Sequence, residues 1–172
     1  GMEFILTTIH RPENTDNPSK LRNILDALDT FQKSNFNNKN FKIIFPIHPR
    51  TKNKIKSFGL EKYLNDFKVI APQGFMEMNI LEREASLIVT DSGGIQKEAF
   101  LHKTPCLTIR NETEWVELID SKWNCLANTS NKLEILDQIK KQILFNTDSS
   151  YVSLYGDGFA ADRIVREIQR FL

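Results

Sequence analysis

Two cysteines in 172 residues rule out a disulfide framework, and a chain of this length can bury a core without staples. Cys106 lies in the apolar run Pro105-Cys106-Leu107 and Cys125 in Asn124-Cys125-Leu126. Both read as buried thiols of a reducing compartment, so neither a bridge nor a metal site is expected. No stretch approaches the roughly 20 apolar residues of a membrane span. The start lacks the charged region and cleavage site of a signal peptide, and these absences lead to an expected cytoplasmic location with no membrane partner. Excess charge is missing too. Twenty-three basic residues against 22 acidic ones give a formal net charge of +1, which argues against nucleic acid as a partner and makes any basic site local. There is no internal repeat, no low-complexity tract, and no G-x-G-x-x-G after the first apolar run, which removes the main support for a nicotinamide or flavin dinucleotide cofactor. Gly1 before Met2 reads as an expression scar, with residues 1–3 a lead-in and 4–172 a single domain.

What is present is an alternation of short apolar runs and helical patterns. Strands are expected at Phe4–Ile9, Lys42–Ile47, Phe67–Ile70, Leu87–Thr90, Pro105–Ile109 and Asn124–Ala127. Between them fall helical spacings: Leu21 to Phe31, a Lys-rich segment through Ile55 and Phe58, Met78 to Ala85, the stretch after Ser92 to about His102, Glu114 to Ser121, and Lys132 to Leu144. Asn35–Asn40 and Asn146–Ser150 read as polar loops, and a terminal amphipathic helix runs through Ile164, Val165, Ile168 and Leu172. This pattern predicts an α/β fold, a Rossmann-like three-layer α/β/α parallel sheet. Ligands of such sheets bind at the carboxyl ends of the strands, where the unusual residues fall: His10-Arg11, His48-Pro49-Arg50, Gln73-Gly74-Phe75, Asp91-Ser92-Gly93-Gly94 and Arg110 to Glu114.

Each group has a plain alternative. Leu87-Ile88-Val89-Thr90 followed by Asp91-Ser92-Gly93-Gly94 is written like a strand-loop-helix phosphate site, with two glycines for close backbone approach, yet it also suits an ordinary capped turn. Glu98, in the second helical turn, has the reach of a ribose. His10 and Arg11 put a titratable donor and a permanent cation where a diphosphate could sit, or make a turn fixed by Pro12 and capped by Asn14. His48 reads as a site residue, the lysines after it as a solvated face. Phe75 is either a stacking surface for a flat base or core, and Thr113 and Glu114 either touch a sugar or cap the helix they begin.

Taken together, the motifs resemble one family, the bacterial UDP-N-acetylglucosamine 2-epimerases, enzymes of the two-domain GT-B fold. The resemblance is carried by His10-Arg11-Pro12-Glu13-Asn14, Pro46-Ile47-His48-Pro49, Thr90-Asp91-Ser92-Gly93-Gly94-Ile95-Gln96-Lys97-Glu98, Arg110-Asn111-Glu112-Thr113-Glu114, and Tyr155-Gly156-Asp157-Gly158 with Ala160-Ala161. It spans nearly the whole chain but matches only the carboxyl-terminal, nucleotide-binding half of the family. It implies UDP and a UDP-sugar as ligands, no cofactor, an amino-terminal domain as partner, and a homodimer as one form of the full-length enzyme. The implied pathway is cell-envelope polysaccharide biosynthesis.

The implied reaction expels UDP by elimination, because no carbonyl acidifies the hydrogen on C2, and adds it back with C2 inverted. His10 is then the catalytic residue of this half. Arg11, Glu13, His48, Phe75, Ser92, Gly93, Gly94, Glu98, Arg110 and Thr113 bind substrate: Ser92 to Gly94 the diphosphate, Glu98 the ribose, Phe75 the uracil. The proton-transferring acids belong to the other half, so this half alone should bind without turnover. Two departures stand out: Lys97 occupies the place of a second acid, and Trp115-Val116-Glu117 replaces an Arg-Pro-Glu, a change also seen in members acting on diacetamido-uronic sugars. Two other readings are the UDP-binding half of a GT-B glycosyltransferase and a non-catalytic nucleotide-sugar binding module.

Overall fold

The structure, a computed structural model, describes residues 3–145, 147 and 152–171. The expected lead-in Gly1-Met2, Leu172 and, but for Thr147, the polar stretch at 146–150 lie outside the described residues. The elements run β1 (Phe4–Thr8), α1 (Pro12–Thr15), α2 (Pro18–Lys33), β2 (Lys42–Pro46), α3 (Pro49–Ser57), α4 (Lys62–Asp66), β3 (Lys68–Ile70), α5 (Phe75–Glu84) and β4 (Leu87–Thr90). They continue with α6 (Gly93–Leu101), β5 (Cys106–Thr108), α7 (Val116–Asp120), β6 (Asn124–Leu126), α8 (Lys132–Ile143) and α9 (Ala160–Gln169).

All strand pairs are parallel, in the order β3-β2-β1-β4-β5-β6. A parallel sheet buries both faces, so the strands are mostly apolar and successive side chains serve different layers. Ile5, Ile43, Phe45, Leu87, Val89 and Leu107 point to one face, where α2 and α8 close the larger core. Phe4, Leu6, Ile44, Ile88 and Cys106 point to the other, against Ala99 of α6 and Met78 and Leu81 of α5. Burial raises both thiols, Cys125 up to about 12, which leaves them unreactive packing groups.

Helix starts follow local capping. Asn17 accepts from the Ser19 and Lys20 N–H groups before Pro18, and Asn131 does the same for Leu133 and Glu134. The Lys-rich α3 is partly neutralised, since Asp16 pairs with Arg50 at 2.7 Å and Lys54 at 3.0 Å.

Several boundaries differ from the sequence pattern. The short α1 and α4 are additional, too brief for a helical period to register. Helix α5 starts at Phe75 rather than Met78, and α7 starts at Val116, so Thr113 and Glu114 stay in the loop before it. The terminal amphipathic pattern does form α9, but every described residue of that helix is exposed.

Candidate functional site

In the order 3-2-1-4-5-6 the winding reverses between β1 and β4, and the crevice beyond their carboxyl ends is where such sheets take ligands. Thr8 and Thr90 end the two strands side by side, their hydroxyls 2.6 Å apart, and Thr90 Oγ1 also accepts the Ser92 N–H at 2.9 Å.

The centre of this crevice is Asp91, fully buried and surrounded by donors. Its carboxylate accepts the backbone N–H groups of His10 (3.1 Å) and Arg11 (3.0 Å) and the Asn14 amide (3.1 Å), and lies 3.0 Å from His10 Nδ1. Asn14 donates onward to the Ile109 carbonyl at 3.0 Å, so one buried pair ties together the loops after β1, β4 and β5. Burial pushes Asp91 upward, but the bonds from His10, Arg11 and Asn14 outweigh it and hold the group below the ordinary carboxylate value. The same bond, donated by His10 to Asp91, raises His10 against burial. With Nδ1 committed to Asp91, His10 has Nε2 left for a ligand.

Beside this pair the chain enters α6. Ser92 has the extended conformation of an N-cap, yet its side chain makes no capping bond, unlike Asn17 and Asn131. The first-turn N–H groups of a helix have no partners within it, and together with the helix dipole they favour an anion. Gly93 is where the backbone is approached most closely. A Cβ there would fall 2.6 Å from Glu114 Oε1 and 3.8 Å from Arg11 Nη2, whereas one on Gly94 would meet open space. Glu114 is paired at 3.0 Å with Arg110. Its own backbone N–H and the Arg110 guanidinium keep it below the ordinary carboxylate range.

Five of the expected residues line two separate cavities, and Ser92, Gly93, Gly94, Glu98 and Thr113 line neither of these. Arg11, Glu13 and Arg110 line one of about 360 Å³ with Lys20 and Glu112, and His10 and His48 line another of about 260 Å³ with Gln73, Met78 and Ile95. His48 also caps α3, its Nδ1 accepting from the Arg50 N–H at 3.2 Å. Phe75 is not brought into either cavity: it is 71% exposed at the start of α5, and Met78, one turn later, supplies the apolar wall. Thr113 is held inward, donating to Gln96 Oε1 at 2.6 Å. Glu98 sits in the second turn of α6; burial and its charge push the buried Glu82 on α5 up to about 7.

Residues to which the sequence reasoning assigns no site role are Asn14, Gln96 and Met78; Asp91 reads there only as part of the turn, and Glu114 as either a sugar contact or a cap. Asp91, Asn14, Gln96 and Glu114 lay within the quoted motifs as polar residues. Their burial or convergence depends on contacts up to 95 positions apart.

This sheet order, with a helix N-terminus and Arg11 at the switch point and Arg110 after the neighbouring β5, defines a Rossmann-like nucleotide-binding domain of the kind that forms the carboxyl-terminal half of GT-B proteins. The chain belongs to the UDP-N-acetylglucosamine 2-epimerase family, whose model matches residues 1–169. It is 44% identical over 171 residues to a UDP-N-acetylglucosamine 2-epimerase homolog of Methanococcus maripaludis, covering 97% of this chain and 44% of that protein. It is 38% identical over 167 residues to the UDP-2,3-diacetamido-2,3-dideoxy-D-glucuronate 2-epimerase of Pseudomonas aeruginosa, with 97% and 44% coverage. A crystal structure of the Methanocaldococcus jannaschii UDP-GlcNAc 2-epimerase with UDP-GlcNAc and UDP superposes with a TM-score of 0.83 at 36% identity, covering 98% of this chain and 45% of that one. The chain thus spans about 44% of the length of the curated relatives it matches.

Proposed function

We propose that this chain is the nucleotide-binding half of an enzyme that inverts C2 of a UDP-sugar by eliminating UDP and adding it back. The observation that carries the reading is that the Asp91-held His10, Arg11, Arg110 and the Gly93 turn all lie at the carboxyl edge of the sheet, in a chain matched along 97% of its length to 2-epimerases. Ser92, Gly93 and Gly94 hold the diphosphate with Arg11 and Arg110, and Glu98 holds the ribose. The uracil lies against Met78 and Gln73, with Phe75 at the mouth. Glu13 and His48 complete the rim, and Thr113 supports it from within through Gln96. His10 stands at the bond between sugar and diphosphate, where a cation meets charge that develops only as that bond breaks.

The relatives include enzymes named for UDP-N-acetylglucosamine and for a diacetamido-glucuronate. The substrate class is therefore a UDP-2-acetamido sugar. The acids that move the C2 proton reside on the amino-terminal half implied by the longer relatives. The enzyme works in the cytoplasm as a homodimer, supplying sugars for cell-envelope polysaccharide. No helix among the described residues is long and apolar enough to cross a membrane.

Exchange of the C2 hydrogen of UDP-N-acetylglucosamine with D2O tests the reading. The chain joined to its amino-terminal half should incorporate deuterium and form the C2 epimer, and the chain alone should do neither. Incorporation by the isolated chain would place the proton-transfer groups here, against the proposal. No incorporation by the joined protein with either acetamido sugar would contradict the assigned activity.

A further inference from the structure

The entry into α6, its N-cap Ser92 and first residue Gly93, is gripped from behind. The Trp115 indole N–H donates to the Gly93 carbonyl at 3.0 Å, and the Gln96 amide donates to the Ser92 carbonyl at 3.2 Å. A trans peptide is planar, so its N–H points opposite to its C=O. Fixing the Ser92 carbonyl therefore fixes the Gly93 N–H, and fixing the Gly93 carbonyl fixes the Gly94 N–H. Both N–H groups are then aimed away from the clamp.

The clamp is itself braced. Gln96 is fully buried, and its Oε1 accepts from Thr113 (2.6 Å) and Asn124 (2.9 Å). The Trp115 backbone N–H bonds Thr113 Oγ1 at 3.2 Å. The Lys97 ammonium lies 3.5 Å from the centroid of the Trp115 ring and 4.8 Å from that of Tyr155, whose hydroxyl donates to Glu117 at 2.7 Å. A cation over an indole face at this distance holds the ring in place.

We propose that Trp115, braced by Lys97 and Tyr155, is a positioning residue for the diphosphate: it sets the direction of the Gly94 N–H by holding the Gly93 carbonyl. This rests on the nucleotide reading given above. Trp115 touches no substrate and acts through the peptide it holds. Its effect is therefore confined to the part of the ligand that the turn meets, and uridine, which has no phosphate, does not feel it.

The test compares UDP and uridine affinities, by NMR titration, for the parent chain, Trp115→Phe, and a chain with a benzothienylalanine at position 115. The last replaces only the indole N–H by sulfur and keeps the ring volume, so it stays informative where the phenylalanine variant folds poorly. Losing one hydrogen bond of ordinary worth should weaken UDP about three- to tenfold in both variants, with uridine affinity unchanged. Lys97→Met should shift UDP the same way by less. Equal UDP affinity in the benzothienyl variant and parent overturns the proposal, and so does a loss of UDP and uridine by the same factor, which would mark a merely structural tryptophan. A parent that binds no UDP would instead overturn the nucleotide reading on which it rests.

Discussion

In the full-length enzyme, His10→Ala is expected to lower turnover by about 100- to 1000-fold, with UDP affinity kept within about threefold. The expectation follows from how the imidazole is held. Asp91 engages Nδ1 at 3.0 Å and keeps His10 cationic to higher pH than an ordinary histidine, while Nε2 is left to the crevice. A cation placed there stabilises UDP as it departs more than UDP at rest. The parent's turnover should accordingly decline as pH rises through the raised His10 pKa, and the alanine variant should lack that limb. Steady-state kinetics across pH, with UDP titrations alongside, check both parts. Equal losses of turnover and nucleotide affinity would make His10 a binding residue only.

Asp91→Ala is expected to cost about 3–5 kcal/mol of folding stability, because it leaves two part-buried backbone N–H groups and one N–H of the buried Asn14 amide without an acceptor. For a chain of this size that lowers the melting temperature by about 10–15 °C. The sign of the pH dependence is fixed by the two shifts. Asp91 is lowered, so its contribution is complete above its ordinary value of 3.8 and fades as pH falls through the lower folded value. His10 is raised, so its contribution is complete below its ordinary 6.5 and fades as pH rises through the higher folded value. The gap in melting temperature between parent and variant should be widest between pH 3.8 and 6.5. Since the His10 side chain is 46% exposed, solvent screens its share, and the alkaline narrowing should be the smaller. A gap that is flat from pH 3 to 9 would show that Asp91 acts by shape alone.

The parts of this site that could be read in the sequence are those written locally. Leu87 to Thr90 is apolar and β-branched, and Asp91-Ser92-Gly93-Gly94 stops it with turn chemistry, so β4, the turn and α6 follow from neighbouring residues. His10 and Arg11 were legible for the same reason, as unlike residues at a strand end. What escaped depends on packing. Phe75 and Met78 are both large and apolar, and only the seating of α5 on the sheet turns Met78 inward and leaves Phe75 at 71% exposure. Ser92 occupies the N-cap as its type suggests, but its hydroxyl does not cap. Trp115 reads as a departure from a family motif; that its indole reaches back 22 positions to Gly93 emerges only once β5 lies beside β4. The apolar stripe of α9 specifies a helix without specifying what covers it.

The most direct measurement is a UDP titration of the isotopically labelled chain, followed by NMR, with Gly93→Val in parallel. Half of a two-domain crevice should bind at about 0.1–1 mM. Amide shifts should concentrate at Gly93, Gly94, His10, Arg11 and Met78, and the valine variant, whose side chain fills the approach to the turn, should show none while remaining folded. No UDP-dependent shift at several millimolar, or equal binding by Gly93→Val, would contradict a diphosphate site at this turn.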